Sequence, residues 1–470
     1  MASLPALRER YGPRYAIWLT AVLMAGSMTM ILAATSINVA LPAIMRDFAI
    51  GRPLAQWLAT GFLAAMTAGL LLAAGCQARL GARRTAQLAL GLFTLASVLA
   101  LIANQAWQLI GLRVVQGLCA GLLQPLSMVL IFRLFEGPGR GLALGIYGFC
   151  VMLAPTLGPS IGGYLIDHFD WHAVFWMPLP LCLLALVAGY WLLPDERRQA
   201  ARIDFLAFLW LWVAIFGLLG ALGEAQRNGW SSLGAWLPAL VGGVAGVAFV
   251  WRSKHQAQPL LPLALWRNGA FRSASWVALT LGMGLYGSTY LLPLYLQTVE
   301  GYNAGRAGLL LLPTGFVLGL ASFLGGWATD RFSSALLLAG GMLVFGLSMA
   351  GLGWVEQGAS FLLLCFWACL GRLGLGLVLP ALSTGSMDVL EPDELAQGAG
   401  AITFIRQLGG AFGISLLSYF LEWRHWAEGS GLAHDAEAFR QTFWLVAVLF
   451  MLSALPALGV RRYRILDPHP

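Results

Sequence analysis

Charge is scarce in this chain. Asp, Glu, Lys and Arg together make up 10% of its 470 residues, 59% are hydrophobic, and Lys254 is the only lysine among 28 basic residues. That balance cannot clothe a water-soluble globule of this length in polar surface, so the chain belongs in a lipid bilayer. The preference for arginine over lysine is what a GC-rich bacterial genome is expected to give. Several chemistries are missing as well. No G-x-x-x-x-G-K-[ST] loop occurs, which removes direct ATP drive. No H-E-x-x-H, Ser-Lys or paired-carboxylate group lies within an apolar run, so an embedded enzyme is not expected. The six cysteines all fall in or beside apolar runs, which argues against a disulfide framework. Cys365 and Cys369 in "CFWAC" read as small residues packing between helices rather than as metal ligands. No cofactor is expected.

What the chain does have is long apolar runs. A helix needs about 20 mostly apolar residues to cross a bilayer. The reading gives fourteen such spans, beginning near Tyr15, Leu54, Arg84, Trp107, Gly141, His172, Asp204, Leu233, Phe271, Gly305, Ser334, Phe361, Gln397 and Thr442. Lipid supplies no partners for backbone polar groups, and the strict alternation of a membrane barrel is absent, so the expected fold is all-α and polytopic. If the spans alternate from a cytoplasmic amino terminus, most Lys and Arg fall on the inner side. Arg46, Arg52, Arg227, Arg306, Arg424 and Arg440 lie outside. That bias places both termini in the cytoplasm. The net charge of +7 is therefore spread along membrane edges, and nucleic acid is excluded as a partner.

A faint duplication is present. "ARLGARR" (Ala78 to Arg84) follows the second span, and "GGWATDRF" (Gly325 to Phe332) follows the tenth. If these turns correspond, the chain is two six-helix bundles, 15–195 and 271–460, with two additional helices inserted at 196–252. The remainder is an N-terminal tail (1–14), a linker (253–270) and a C-terminal tail (461–470), all cytoplasmic.

Two features inside the runs call for a physical account. "LAPTLGPSIGGYL" holds Pro155, Gly158, Pro159, Gly162 and Gly163. Glycines at helical spacing let backbones approach closely, while each proline deletes a backbone donor and bends the helix. Arg113 lies far from both ends of its span, so it must face protein or a wet cavity. Arg372, in "CLGRLGLGL", poses the same problem, with bonding to helix carbonyls the plainer reading. The outer segment "DHFDWH" groups Asp167, His168, Asp170 and His172 and reads as a solvated loop, with a metal or proton-sensing site as the alternative.

Several segments resemble one family. "SINVALPAI" (Ser36 to Ile44), "LIGLRVVQGLCAG" (Leu109 to Gly121), "LAPTLGPSIGGYL", "NGWSS" (Asn228 to Ser232), "LPLYLQTVEGYNAGRAGLLLLP" (Leu292 to Pro313) and "FIRQLGGAFG" (Phe404 to Gly413) are similar, in order, to motifs of the major facilitator superfamily. Within it they resemble the fourteen-helix drug:proton antiporters of the EmrB/QacA type. The resemblance implies a secondary active transporter that exports small amphiphilic, drug-like molecules by alternating access in exchange for protons. A dedicated exporter of a single metabolite, siderophore or antibiotic is the alternative. It also implies roles. Arg113, Gln116 and Gly117 match the fourth-helix motif that serves proton coupling. Pro155, Gly158, Pro159, Gly162 and Gly163 match the fifth-helix antiporter motif where the bundles meet. Arg79, Gly81, Arg83, Arg84, Asp330 and Arg331 match the inner gating loops. The superfamily's pocket lies between the bundles, which nominates Thr35, Asn38, Gln124, Tyr286, Tyr290 and Ser383 alongside Arg113 and Gln116.

The expected setting is the bacterial inner membrane, with the lipid bilayer, protons and a small-molecule substrate as partners. A periplasmic adaptor and an outer-membrane channel join some relatives. Here Glu422 to Gln441, read as the largest outer loop, would be their contact, with a solvated connector as the other reading. The chain departs from the family at two places, because Ala33 and Ala78 stand where aspartates are usual. Among its acids, Glu224, Glu300, Asp388 and Glu422 lie near span ends and none lies at mid-membrane, so an edge acid must carry the proton or the energetics must differ.

Overall fold

The structure is a computed structural model that describes residues 4–460 apart from residue 13 and residues 136–138, 196–203, 257–258, 330, 392–393 and 429–431. The C-terminal tail and Asp330 therefore lie outside the described residues. After a short helix α1 (Leu4–Tyr11), the chain forms α2 (Tyr15–Asp47), α3 (Arg52–Ala55), α4 (Trp57–Leu80), α5 (Ala82–Ala100), α6 (Ala106–Leu134), α7 (Gly139–His168), α8 (Ala173–Trp176) and α9 (Leu179–Leu192). Next come α10 (Phe205–Asn228) and α11 (Leu233–His255), then a 3-10 turn at Leu263–Arg267. The last six are α12 (Gly269–Thr298), α13 (Ala304–Thr329), α14 (Ser334–Trp354), α15 (Phe361–Met387), α16 (Leu395–Glu428) and α17 (Leu432–Ala457).

Among the described residues, twelve helical segments are long and apolar enough to cross a membrane. Helices α5 and α7 are not among them, so the expected count of fourteen spans is not reached by that measure. One boundary needs correction. Helix α16 runs to Glu428 and α17 starts at Leu432 instead of near Thr442, so most of the expected outer loop is helix. Its polar residues find partners within the protein: His425 Nδ1 lies 3.0 Å from Asp435, and Arg440 lies 2.7 Å from Glu437.

Packing repeats between the first and last six long helices. Helices α4 and α6 pair as α13 and α15 do, α2 and α7 as α12 and α16, α5 and α6 as α14 and α15, α5 and α9 as α14 and α17, and α2 and α9 as α12 and α17. Between the two sets, α7 meets α13, α4 meets α16 and α2 meets α12. Helix α10 leans on α4 and α16, while α11 packs chiefly on α10. Lipid supplies no partners for hydroxyls, so they bond back to their own helices. Thr67 donates to Leu63 O at 2.7 Å and Thr442 to Ala438 O at 2.7 Å.

Glycines set the closest approaches. A Cβ at Gly69 would sit 2.5 Å from Leu118 O, and one at Gly117 or Gly121 would overlap the carbonyls of Phe62 and Met66, so α4 and α6 touch backbone to backbone. Helices α10 and α11 meet in the same way, with a Cβ on Gly217 falling 2.8 Å from the Gly242 Cα.

Asp204 fastens the other end of that pair. It caps α10 by accepting from Ala207 N at 3.0 Å and receives Arg252 Nε at 2.7 and 2.9 Å. Burial raises its carboxyl, but the Arg252 hydrogen bond and charge and the amides of Ala207 and Leu206 outweigh it and hold the group below its usual range. A carboxyl depressed on folding adds stability above its unfolded pKa, about 3.9, and loses it as pH falls through the lower folded value. Acidification below about pH 4 should thus loosen α11 from α10 at the Asp204 end. In Asp204→Asn this contact should be weaker at neutral pH and insensitive to acid, as read by thiol labelling of a cysteine placed at Ser253.

Candidate functional site

Arg113 is fully packed between α4, α5 and α6. Its Nε donates to Leu58 O at 2.9 Å, its Nη1 donates to Gln116 Oε1 at 2.9 Å, and its guanidinium lies 4.3 Å from the centre of the Phe62 ring. Gln116 in turn donates to Ser97 Oγ at 2.8 Å. No carboxylate joins this knot, and Nη2 has no partner among the described residues. A carbonyl, an amide and a ring face thus compensate the charge, a buried cation–π contact being worth about 2 kcal/mol. Gly117 lets Phe62 come close enough to supply that ring.

The Gly/Pro stretch of α7 presents two seams. A Cβ on Gly158 would sit 2.7 Å from Leu32 O and would overlap the Thr35 hydroxyl, while one on Gly162 would lie 3.0 Å from Ser36 Cβ, so this face is pressed against α2. The adjoining face meets α13. There a Cβ on Gly163 would overlap Ala304 O, and one on Gly308 would fall 2.5 Å from Pro159 O. Ser160 Oγ donates to Gly308 O at 2.7 Å, and Asp167 accepts from Gly305 N at 2.9 Å. Asp167 is thus a contact between the two sets of helices as well as part of an exposed segment. Its neighbours bond locally, with His172 Nδ1 3.1 Å from Asp170. Among the described residues no cluster of His, Cys, Asp or Glu could hold a metal.

The nominated pocket residues are placed unevenly. Gln124 on α6 accepts from Gln407 Nε2 of α16 at 3.1 Å, an amide pair that crosses between the two sets. Asn38 is buried with its Oδ1 unpartnered. Tyr286 packs on Gly410, and Tyr290 donates to Ser418 Oγ at 3.2 Å. Thr35 lies in the α7 seam and Ser383 is exposed; both hydroxyls bond back to their own helices. Of the loop residues, Arg79 lies over the Phe205 ring, Arg83 lies 4.3 Å from the Tyr190 ring and Arg331 lies 4.1 Å from the Trp327 ring. Gly81 adopts φ 82 at the turn between α4 and α5, and Arg84 is exposed.

One cluster was not anticipated from the sequence. Arg52 on α3 reaches Asp435 of α17 at 3.1 Å and Glu422 of α16 at 3.9 Å, and Asp435 also faces His425. Beneath it, Gln56 and Gln226 exchange hydrogen bonds at 2.7 and 3.3 Å, Gln226 donates to Ser415 O at 3.1 Å, and Ser415 donates to Thr60 at 3.4 Å. This ties α3, α4 and α10 to α16 at one end of the bundle. The available signal was a lone Arg52 before Pro53, with Glu422 and His425 three residues apart on one helical face.

The model of the Major Facilitator Superfamily matches residues 17–414 and 311–469. The chain belongs to the major facilitator superfamily. As a superfamily member it is a membrane transporter of small molecules, and it is not an enzyme. It is 31% identical to a multidrug resistance protein B homolog of Mycobacterium tuberculosis, over 83% of this chain and 73% of that one. It is 30% identical to a tetracenomycin C resistance and export protein of Streptomyces glaucescens, over 88% and 79%. Its fold is shared with a bacterial homolog of the human lysosomal transporter Spinster, solved inward-facing and occupied, at 16% identity and a TM-score of 0.65 over 96% and 97% of the two chains.

The seam against α13 yields a direct test. In a cysteine-free background, Asp167→Cys with Gly305→Cys should form a disulfide readily. Adding Gly163→Leu should prevent it while leaving membrane insertion intact, read by the gel shift of the oxidised protein.

Proposed function

We propose that this transporter exports small amphiphilic molecules by alternating access in exchange for protons, as a fourteen-helix drug:proton antiporter. The observation that carries the reading is the double seam of α7, where one helix packs through glycine on its own set and on the opposite set. Such a glycine-lined surface can slide as the two sets rock. The resistance and export functions named for the relatives support the direction and the substrate class. A dedicated exporter of one compound uses the same seam and is separated from this reading by a chemically broad substrate panel.

In this reading residues 15–195 and 271–460 are the two lobes, α10 and α11 are the two inserted spans, and α5 and α7 complete the fourteen. Both termini are cytoplasmic in the bacterial inner membrane, which puts Arg52 at the outer face. Helices α16 and α17 absorb most of the segment reserved for an adaptor, which leaves little loop for one to grip.

The Arg52 cluster then closes the outer side. Its carboxylates Glu422 and Asp435 stand in for the acid that Ala33 and Ala78 lack. His425, Arg424, Tyr290, Glu437 and Arg440 are the other titratable or charged groups nearby. Ionised carboxylates hold Arg52. Breaking these pairs frees α3 from α16 and α17, as opening on that side requires.

The experiment is transport in proteoliposomes under an imposed pH gradient. Uptake of several unlike amphiphiles into inverted vesicles should follow the gradient and collapse with it. Glu422→Gln combined with Asp435→Asn should loosen the outer closure and slow exchange a few-fold, as suits partly exposed ion pairs worth about 1 kcal/mol or less each. Transport that ignores the gradient, with an unaltered double variant, overturns the coupling.

A further inference from the structure

A second buried guanidinium, unlike Arg113, has nothing to bond. Arg372 on α15 is only 4% exposed, its Nη1 is unpartnered, and among the described residues it takes part in no hydrogen bond or ion pair. The comparison with Arg113 explains the lack. Arg113 has Gln116 three residues on, whereas the residue three beyond Arg372 is Leu375. Arg113 bonds a carbonyl of α4, and Ser97 on α5 anchors its glutamine. The serine nearest Arg372 on α14 is Ser348, which lies close to Gly371 and donates its proton to Trp367 O at 2.6 Å.

Beside Arg372 is a cavity of about 10 Å³, between α12, α14, α15 and α17. Its wall is apolar, with Leu292, Phe345, Met349 and Phe443 among the lining, except for Arg372 itself and Ser288. Ser288 donates to Gly284 O at 2.5 Å and can turn its hydroxyl inward. A guanidinium keeps its proton under all ordinary conditions, so its charge must be balanced by something that enters. The space admits a single small occupant and excludes drug-sized molecules and organic carboxylates.

We propose that this cavity binds a single halide-sized inorganic anion, chloride in the cell, held by Arg372 and assisted by the Ser288 hydroxyl. The anion neutralises the interior of the second set of helices and links its packing to halide concentration. The site is separate from the amide pair of Gln124 and Gln407 and from the Arg52 cluster, so it stands or falls independently of the transport reading.

The test uses the full-length protein in detergent, with tryptophan fluorescence following thermal unfolding as sodium gluconate is replaced by sodium chloride at constant ionic strength. The melting midpoint should rise by several degrees and saturate, as for a ligand that binds only the native state. Bromide should reproduce the rise, and acetate and benzoate should not. Arg372→Gln removes the charge and should abolish the halide-dependent rise, while its midpoint in gluconate stays at or above that of the wild type. A wild-type midpoint indifferent to halide, which means the cavity holds only water, overturns the proposal. An equal rise with acetate or an undiminished rise in Arg372→Gln does the same. Should Arg372→Gln fail to fold, Ser288→Ala must raise the half-saturating chloride concentration several-fold, and an unchanged value defeats the site.

Discussion

Hydrocarbon offers no hydrogen bonds, and from that single constraint the rest of the architecture follows. It forces the backbone into helices, turns Ser and Thr hydroxyls back onto their own carbonyls, and leaves each buried charge dependent on whatever the protein places beside it. Helix ends receive the same treatment. Asn268, Ser333 and Ser360 each accept from backbone amides one turn into α12, α14 and α15. Arg113 illustrates the interior case: a carbonyl, an amide and a ring face share a charge that would otherwise oppose insertion.

Without a hydrophobic force between helices, association depends on how closely backbones can approach. The α4–α6 contact and the α7–α13 contact use the same device, glycine facing a carbonyl, yet differ in what surrounds it. At α4–α6 the glycines are reinforced by the Arg113 knot, which keys the helices in register. At α7–α13 the bonds are a serine hydroxyl and an exposed carboxylate at the rim. The first contact is thus held by a side-chain knot as well as by glycine, and the second chiefly by glycine. Pro155 and Pro159 add to the contrast, because a helix short of backbone donors bends at lower cost than an intact one.

Much of this was legible in the residues. Composition and run length foretold an all-helical membrane protein, and the helix starts agree closely with the apolar runs as far as α16. The seam on α7 could be read from glycine spacing, although the sequence did not reveal that Gly158 and Gly162 face α2 while Gly163 faces α13. Two points escaped for physical reasons. Helix α17 begins at Leu432 because its first turns are polar and continue beyond the apolar run, where hydropathy gives no signal. The Arg52 cluster joins residues nearly four hundred positions apart, and no local pattern announces a pairing made only by folding. Arg372 was read as bonding helix carbonyls, and the structure gives it none.

Polar chemistry between the two sets falls into two zones. At the rim, Arg52, Glu422 and Asp435 form ion pairs where water can still reach them, so they can break and reform. Deeper, the crossing is made by neutral amides, Gln124 with Gln407, and Gln407 keeps one oxygen unpaired, as does Asn38. A neutral amide pair avoids the cost of holding opposed ions in a low dielectric. Among the described residues, the ion pairs that join the two sets thus stand at the rim, while the amides within keep the Oδ1 of Asn38 and the Oε1 of Gln407 unpaired.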